Sequence, residues 1–164
     1  METVFKILVI GARGVGKTSF VQQYVHRIFT ENYKITLGAD FAVKVLQWSE
    51  TETIRLHLWD IAGMEQSLPL CRVYYRGAAG CLIMCDVTRP DTLVSAYHWK
   101  TDVDENVQQL DGSPIPCMFL ANKCDRSDRQ LSTEEIRKFS QENNFIRWSE
   151  TSVKENKNVL ETVR

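Results

Sequence analysis

Apolar residues recur along this chain in two rhythms, one of the strand and one of the helix. Residues 5–10 (FKILVI) read as a buried strand, and residues 17–26 as a helix that opens directly from the glycine-rich turn after it. Residues 41–48 (FAVKVLQW) and 53–59 (TIRLHLW) alternate at period two around a polar SETE turn, which predicts an antiparallel hairpin. Residues 79–87 (AGCLIMCDV) and 115–121 (IPCMFLA) are nearly continuous apolar runs, as central strands covered on both faces should be. Between them, Leu93, Val94, Tyr97, Val103, Val107 and Leu110 keep helical spacing over 91–110. A further helix begins at Ser132, with Glu135 at the spacing of a capping box. Strands that alternate with helices predict a doubly wound α/β sheet with right-handed crossovers. Ligands bind such sheets at the carboxyl ends of the strands, so the loops after Ile10, Trp59, Ala121 and Ser149 become the places to look.

Neither a repeat nor a low-complexity tract interrupts this pattern, and 164 residues suit one domain spanning 1–164. The final residues, 158–164, read as the start of a helix that is cut. The net charge of −1 supplies no global field toward nucleic acid or an anionic membrane. Five cysteines (Cys71, Cys81, Cys85, Cys117, Cys124), odd in number and without CxxC spacing, read as reduced core thiols of a cytosolic protein. No apolar run reaches the length of a membrane span, and no signal peptide precedes the first strand. His26, His57 and His98 share no metal-ligand spacing. Asp102, Asp104 and Glu105 read as a solvated helix face. Arg72 and Arg76 are isolated, which gives nucleic-acid binding no support.

The strongest chemistry lies in GARGVGKT, residues 11–18, which match G-x-x-x-x-G-K-[ST] between a strand and a helix. Glycines at 11, 14 and 16 let backbone N–H groups turn inward around phosphates, at a helix N-terminus that already favours anions. Lys17 would reach the β- and γ-phosphates, and the Thr18 hydroxyl would bind Mg²⁺. This loop alone does not choose between ATP and GTP. NKCD (122–125), at the end of a predicted strand, makes that choice, because the Asp125 carboxylate can accept from both the ring N–H and the exocyclic amine of guanine. After the final strand, ETSVK (150–154) offers a backbone amide for the guanine oxygen. Asp60 closes residues 53–60 as a metal-binding carboxylate, and Gly63 follows where a backbone N–H can touch the γ-phosphate.

GARGVGKT, WDIAG, NKCD and ETSVK, in this order and spacing, resemble a small GTPase of the Ras superfamily. LGADF (37–41) and YYRGA (74–78) resemble the Rab family within it, and Phe41, Trp59 and Tyr74 its aromatic triad facing effectors. FAVKVLQW, LWDIAG, LANKCD and WSETSVKENKN resemble the Rab subgroup of lysosome-related organelles, phagosomes and the trans-Golgi network. The resemblance implies a P-loop NTPase G domain: a six-stranded, mostly parallel sheet with one antiparallel edge strand and helices on both faces. It implies GTP/GDP with Mg²⁺ as ligands, Thr36 closing on Mg²⁺ and γ-phosphate, and Phe29 packing on guanine. The nucleotide set is then Arg13, Gly14, Val15, Gly16, Lys17, Thr18, Ser19, Phe29, Thr36, Gly63, Asn122, Lys123, Asp125, Ser152, Val153 and Lys154. Thr18, Thr36 and Asp60 form the metal set, and Lys17, Thr36, Gly63 and position 64 the catalytic one. Trafficking effectors, an exchange factor, a GTPase-activating protein and a leucine-rich-repeat kinase are the implied partners. Rabs usually reach the cytosolic face of intracellular membranes through a prenylated C-terminal tail, which is absent from this chain, so a soluble protein is expected as it stands.

Four positions depart from the family. Met64 stands where a glutamine orients the attacking water, and its side chain offers no useful hydrogen bond. Gln66 and Ser67 replace an arginine and an aromatic residue. Arg13 adds a long cation inside the phosphate loop, able either to obstruct a partner's arginine finger or to lean on the γ-phosphate itself. All of these touch turnover and not nucleotide affinity, so slow intrinsic hydrolysis and a high GTP-bound fraction are expected. The rival reading is a non-hydrolysing module held GTP-bound; an ATP-using P-loop kinase is opposed by NKCD.

Overall fold

The computed structural model describes residues 2–12, 14–26, 39–47, 49–61, 74–109, 111–123 and 127–152, with the backbone alone at residues 18, 22, 23, 25, 26 and 39–41. Along these run β1 (Glu2–Gly11), α1 (Lys17–His26), β2 (Ala39–Gln47), β3 (Thr53–Ile61), β4 (Gly80–Asp86), α2 (Asp91–Asn106), β5 (Cys117–Asn122), α3 (Thr133–Glu142) and β6 (Arg147–Glu150). The strands form one sheet in the order β2-β3-β1-β4-β5-β6. Only the β2–β3 hairpin is antiparallel; β3, β1, β4, β5 and β6 run parallel. The expected α/β class and the antiparallel edge strand therefore hold.

Strand alternation divides the core between the two faces. Leu8 and Ile10 pack on one side with Ala96, Trp99 and Val103 of α2 and Ile136 of α3. Val9, between them, points to the other side with Phe20, Val21 and Tyr24 of α1. All seven residues of β4 are buried, as their unbroken apolar run requires of a central strand. Fully burying residues such as Phe20 and Trp99 contributes about 1.5–3 kcal/mol each, so these two layers dominate the stability.

Element limits moved in ways the local chemistry explains. α2 ends at Asn106 rather than running to residue 110, because Val107 turns to extended backbone and Gln108 bridges to Pro114. The capping box at Ser132 is present in both directions: its side chain accepts from the Glu135 N–H while the Glu135 side chain accepts from the Ser132 N–H. Cys81, Cys85 and Cys117 are buried thiols, and burial pushes Cys81 and Cys85 above the ordinary thiol range. Cys71 and Cys124 lie outside the described residues.

The acidic group on α2 corrects the expectation of a solvated face. Asp102 is only 6% exposed and accepts a hydrogen bond from the Tyr75 hydroxyl at 2.7 Å, while Asn106 donates to its backbone oxygen. Asp104 pairs with Lys100, which is itself buried and lies over the Phe145 ring. Charge density alone could not reveal this, because Tyr75 arrives from 27 residues away in sequence. Only Glu105 keeps the expected exposure. Tyr75→Phe removes a donor from a buried carboxylate and should lower the unfolding free energy by about 1.5–3 kcal/mol, read from urea denaturation.

Candidate nucleotide site

Parallel register aligns the carboxyl ends of the strands, and the site is built there. Val9 pairs with Asp60, Gly11 with Met84, Asp86 with Asn122, and Ala121 with Glu150. The carboxyl ends of these strands therefore line up along one edge of the sheet, where ligands of such folds bind.

The glycine-rich loop shows why its residues are needed. Gly14 and Gly16 adopt φ of +80° and +103°, conformations that glycine takes without a Cβ penalty. A Cβ on Gly16 would stand 2.3 Å from Nδ2 of Asn122, so the second loop closes on the first only because a side chain is missing. The loop then passes into α1, whose ladder begins with Phe20 N–H donating to Gly16 O at 2.8 Å. Lys17 folds back over the loop: its ammonium donates to Gly11 O at 3.2 Å and Ala12 O at 3.0 Å and is 6% exposed. Its charge is thereby held beside the turn rather than in solvent.

Asn122 and Lys123 take roles that the sequence assigned only to base recognition. The Asn122 amide donates to Val15 O at 3.0 Å, and its oxygen accepts from the Thr151 hydroxyl at 3.1 Å. Lys123 sits at φ +65°, strained for a residue with a Cβ, and donates to Gly14 O at 3.0 Å while pairing with buried Asp86 at 2.9 Å. Asp86 in turn accepts from the backbone N–H and hydroxyl of Thr88. Glu150 accepts from Arg129 and from the Thr133 hydroxyl, which joins the last strand to the start of α3. Thr151 and Ser152 are fully buried behind this joint.

Asp60, next to last in β3 and in register with Val9 of β1, is 1% exposed. Trp59 packs on Tyr74 with ring centroids 6.0 Å apart, and its register partner across the hairpin is Phe41. Lys6 lies 5.0 Å over the Trp59 ring and donates to Arg76 O; partial burial holds its ammonium below the usual lysine range.

Of the expected site residues, Gly14, Val15, Gly16, Lys17, Asn122 and Lys123 are drawn together by these contacts. Ser19 is half-buried in the first turn of α1, and Thr18 is placed there by its backbone. Arg13, Phe29, Thr36, Gly63, Met64, Asp125, Val153 and Lys154 lie outside the described residues. Sequence reasoning missed Asp86, Arg129, Glu150 and Thr151 as supports. Asp86 carried a signal, being the one carboxylate at the end of the apolar run 79–87.

The donor set fits a phosphate ester and a hard cation. Backbone N–H groups at a helix start and an ammonium held over the turn suit phosphate oxygens, whereas a buried carboxylate at the adjacent strand end suits Mg²⁺. When bound, such a cation would neutralise phosphate charge.

Comparison with known proteins agrees with this architecture. The Ras family pattern matches residues 6–164. The chain is 52% identical to human Ras-related protein Rab-7L1 over 163 residues, covering 99% of this chain and 80% of that protein. Human Ras-related protein Rab-32 is 46% identical over 164 residues, with 99% and 73% covered. Ras-related protein Rab-32A of Dictyostelium discoideum is 46% identical over 166 residues, with 99% and 76% covered.

Two glycine substitutions separate local strain from damage to the site. Gly112 has φ +87° and open space around it, so Gly112→Ala should cost about 1 kcal/mol and leave nucleotide affinity unchanged. Gly16→Ala meets Asn122 as well as an unfavourable φ, and should weaken nucleotide binding by at least about thirtyfold, or roughly 2 kcal/mol, in titrations with a fluorescent nucleotide.

Proposed function

The chain belongs to the Ras family and within it to the Rab small GTPases, switches of membrane trafficking that bind GTP and GDP and hydrolyse GTP; from that premise we propose that it is a Rab switch with slow intrinsic hydrolysis. The observation that best supports a guanine site of this kind is the closure of the Asn122–Lys123 loop on Gly14 and Val15. In this reading Lys17 neutralises the β- and γ-phosphates, Thr18, Thr36 and Asp60 hold Mg²⁺, and Asp125 with the 152–154 backbone selects guanine. Phe29 covers the base. Of the three phosphates Thr36 and Gly63 would touch the γ alone, so its loss releases both switch segments.

Met64 carries the proposal of slow turnover. An arginine finger is worth about 10³ to 10⁵ in rate, roughly 4–7 kcal/mol, and intrinsic Ras turnover is on the order of 10⁻⁴ per second. A thioether in place of the water-orienting amide slows that reaction further, and bound GTP then lasts for hours. A GTPase-activating protein that brings its own glutamine and arginine would restore turnover, with Arg13 deciding how well its finger fits. The non-hydrolysing module is the second reading, favoured by Met64 alone.

General Rab biology supplies effectors, exchange factors and activating proteins as partners. A leucine-rich-repeat kinase, an action at Golgi or endolysosomal membranes, attachment by a prenylated tail beyond residue 164 and a single G domain over 1–164 complete the proposal. Among the described residues no helix is long and apolar enough to cross a membrane.

Single-turnover hydrolysis of the GTP-loaded protein tests the rate. Met64→Gln should hydrolyse at least about tenfold faster than wild type; equal rates would sink the proposed role of Met64. Nucleotide retained through purification separates the two readings, since GDP indicates a cycling switch and GTP the module.

A further inference from the structure

The turn between β4 and α2 carries a cation that the nucleotide motifs do not include. Arg89 is fixed at its backbone: its N–H donates to Asp86 O at 3.0 Å, and its carbonyl accepts from the Thr92 N–H at 3.0 Å and the Thr92 hydroxyl at 2.7 Å. Thr92 is fully buried, so the turn is anchored in the core. From this anchor the side chain reaches the phosphate loop, where a Cβ on Gly14 would lie 3.1 Å from Arg89 Nη1. The Asp91 carboxylate stands 3.5 Å from the guanidinium with its side chain 72% exposed, a pairing that water largely screens.

Charge on the loop makes the same point. Residues 11–18 contain Arg13 and Lys17 and no carboxylate. Lys123 adds its ammonium on Gly14 O, with Asp86 as its counter-charge, and the Arg89 guanidinium arrives on the same glycine. Cations gathered at one turn repel one another unless a polyanion lies among them. Resting on the nucleotide-binding reading, we propose that Arg89 is an affinity-determining residue, a rim cation that attracts the α- and β-phosphates and slows nucleotide release. N–H groups of such loops cradle those two phosphates, which GDP and GTP share. Arg89 therefore acts on retention in both states and does not distinguish them.

Dissociation of fluorescent GDP and of a fluorescent non-hydrolysable GTP analogue from the full chain tests this. Arg89→Gln should speed release of both nucleotides by a similar factor, roughly two- to fivefold at low salt. The difference should shrink toward wild type at about 0.5 M salt, and Arg89→Lys should keep most of the wild-type retention. Unchanged rates in Arg89→Gln would overturn the proposal, as would an increase that ignores salt and is equal in Arg89→Lys, since that is the behaviour of a structural brace. An effect on the GTP analogue alone would overturn it too. Failure of the wild-type protein to hold guanine nucleotide would instead overturn the nucleotide-binding reading on which it rests.

Discussion

The site depends on one close approach: the Asn122 carboxamide against the backbone of Val15 and Gly16. Its amide and its oxygen are both engaged, one by the phosphate loop and the other by Thr151 beyond the last strand. Three chain segments far apart in sequence are thus held by a single buried planar group. Such a group is costly when half satisfied and rigid when fully satisfied, so the loops adopt one relative position. The missing Cβ of Gly16 is the other half of the same contact. Without it the amide could not come near enough, and the motif glycine serves loop-to-loop packing as much as backbone conformation.

The sheet and its helices were legible because each element announces itself locally. Unbroken apolar runs became central strands, alternating runs became the hairpin, and Ser132 with Glu135 became a complete capping box. The glycine-rich loop was legible as a tight turn between β1 and α1 because its glycines stand where positive φ is needed, at the fixed spacing that phosphate chemistry restricts. What stayed hidden was pairing across the chain. Nothing around Asp102 points to Tyr75, and nothing around Lys123 points to Asp86, 37 positions earlier by their numbers. Even the roles of Asn122 and Lys123 were read only in part, because a motif names residue types without saying whether they meet the ligand or one another.

These supports also bear on how affinity and rate would come apart under the proposed reading. The described residues among those expected to grip the nucleotide stand on strand ends, on the first turn of a helix or on loops tied to both, and their neighbours are buried and hydrogen-bonded. Neither Met64 nor Arg13 belongs to the ties among Gly14, Val15, Lys17, Asn122 and Lys123. Catalysis by a small GTPase, in contrast, rests on placing a water molecule and on charge that develops only in the transition state. Substitutions that leave ground-state binding alone can therefore move the rate by orders of magnitude. Under the proposed role of Met64, a Rab that keeps its cradle and lacks the water-positioning amide would keep its grip on nucleotide and lengthen its signal, whose duration would pass to whichever partner supplies the missing groups.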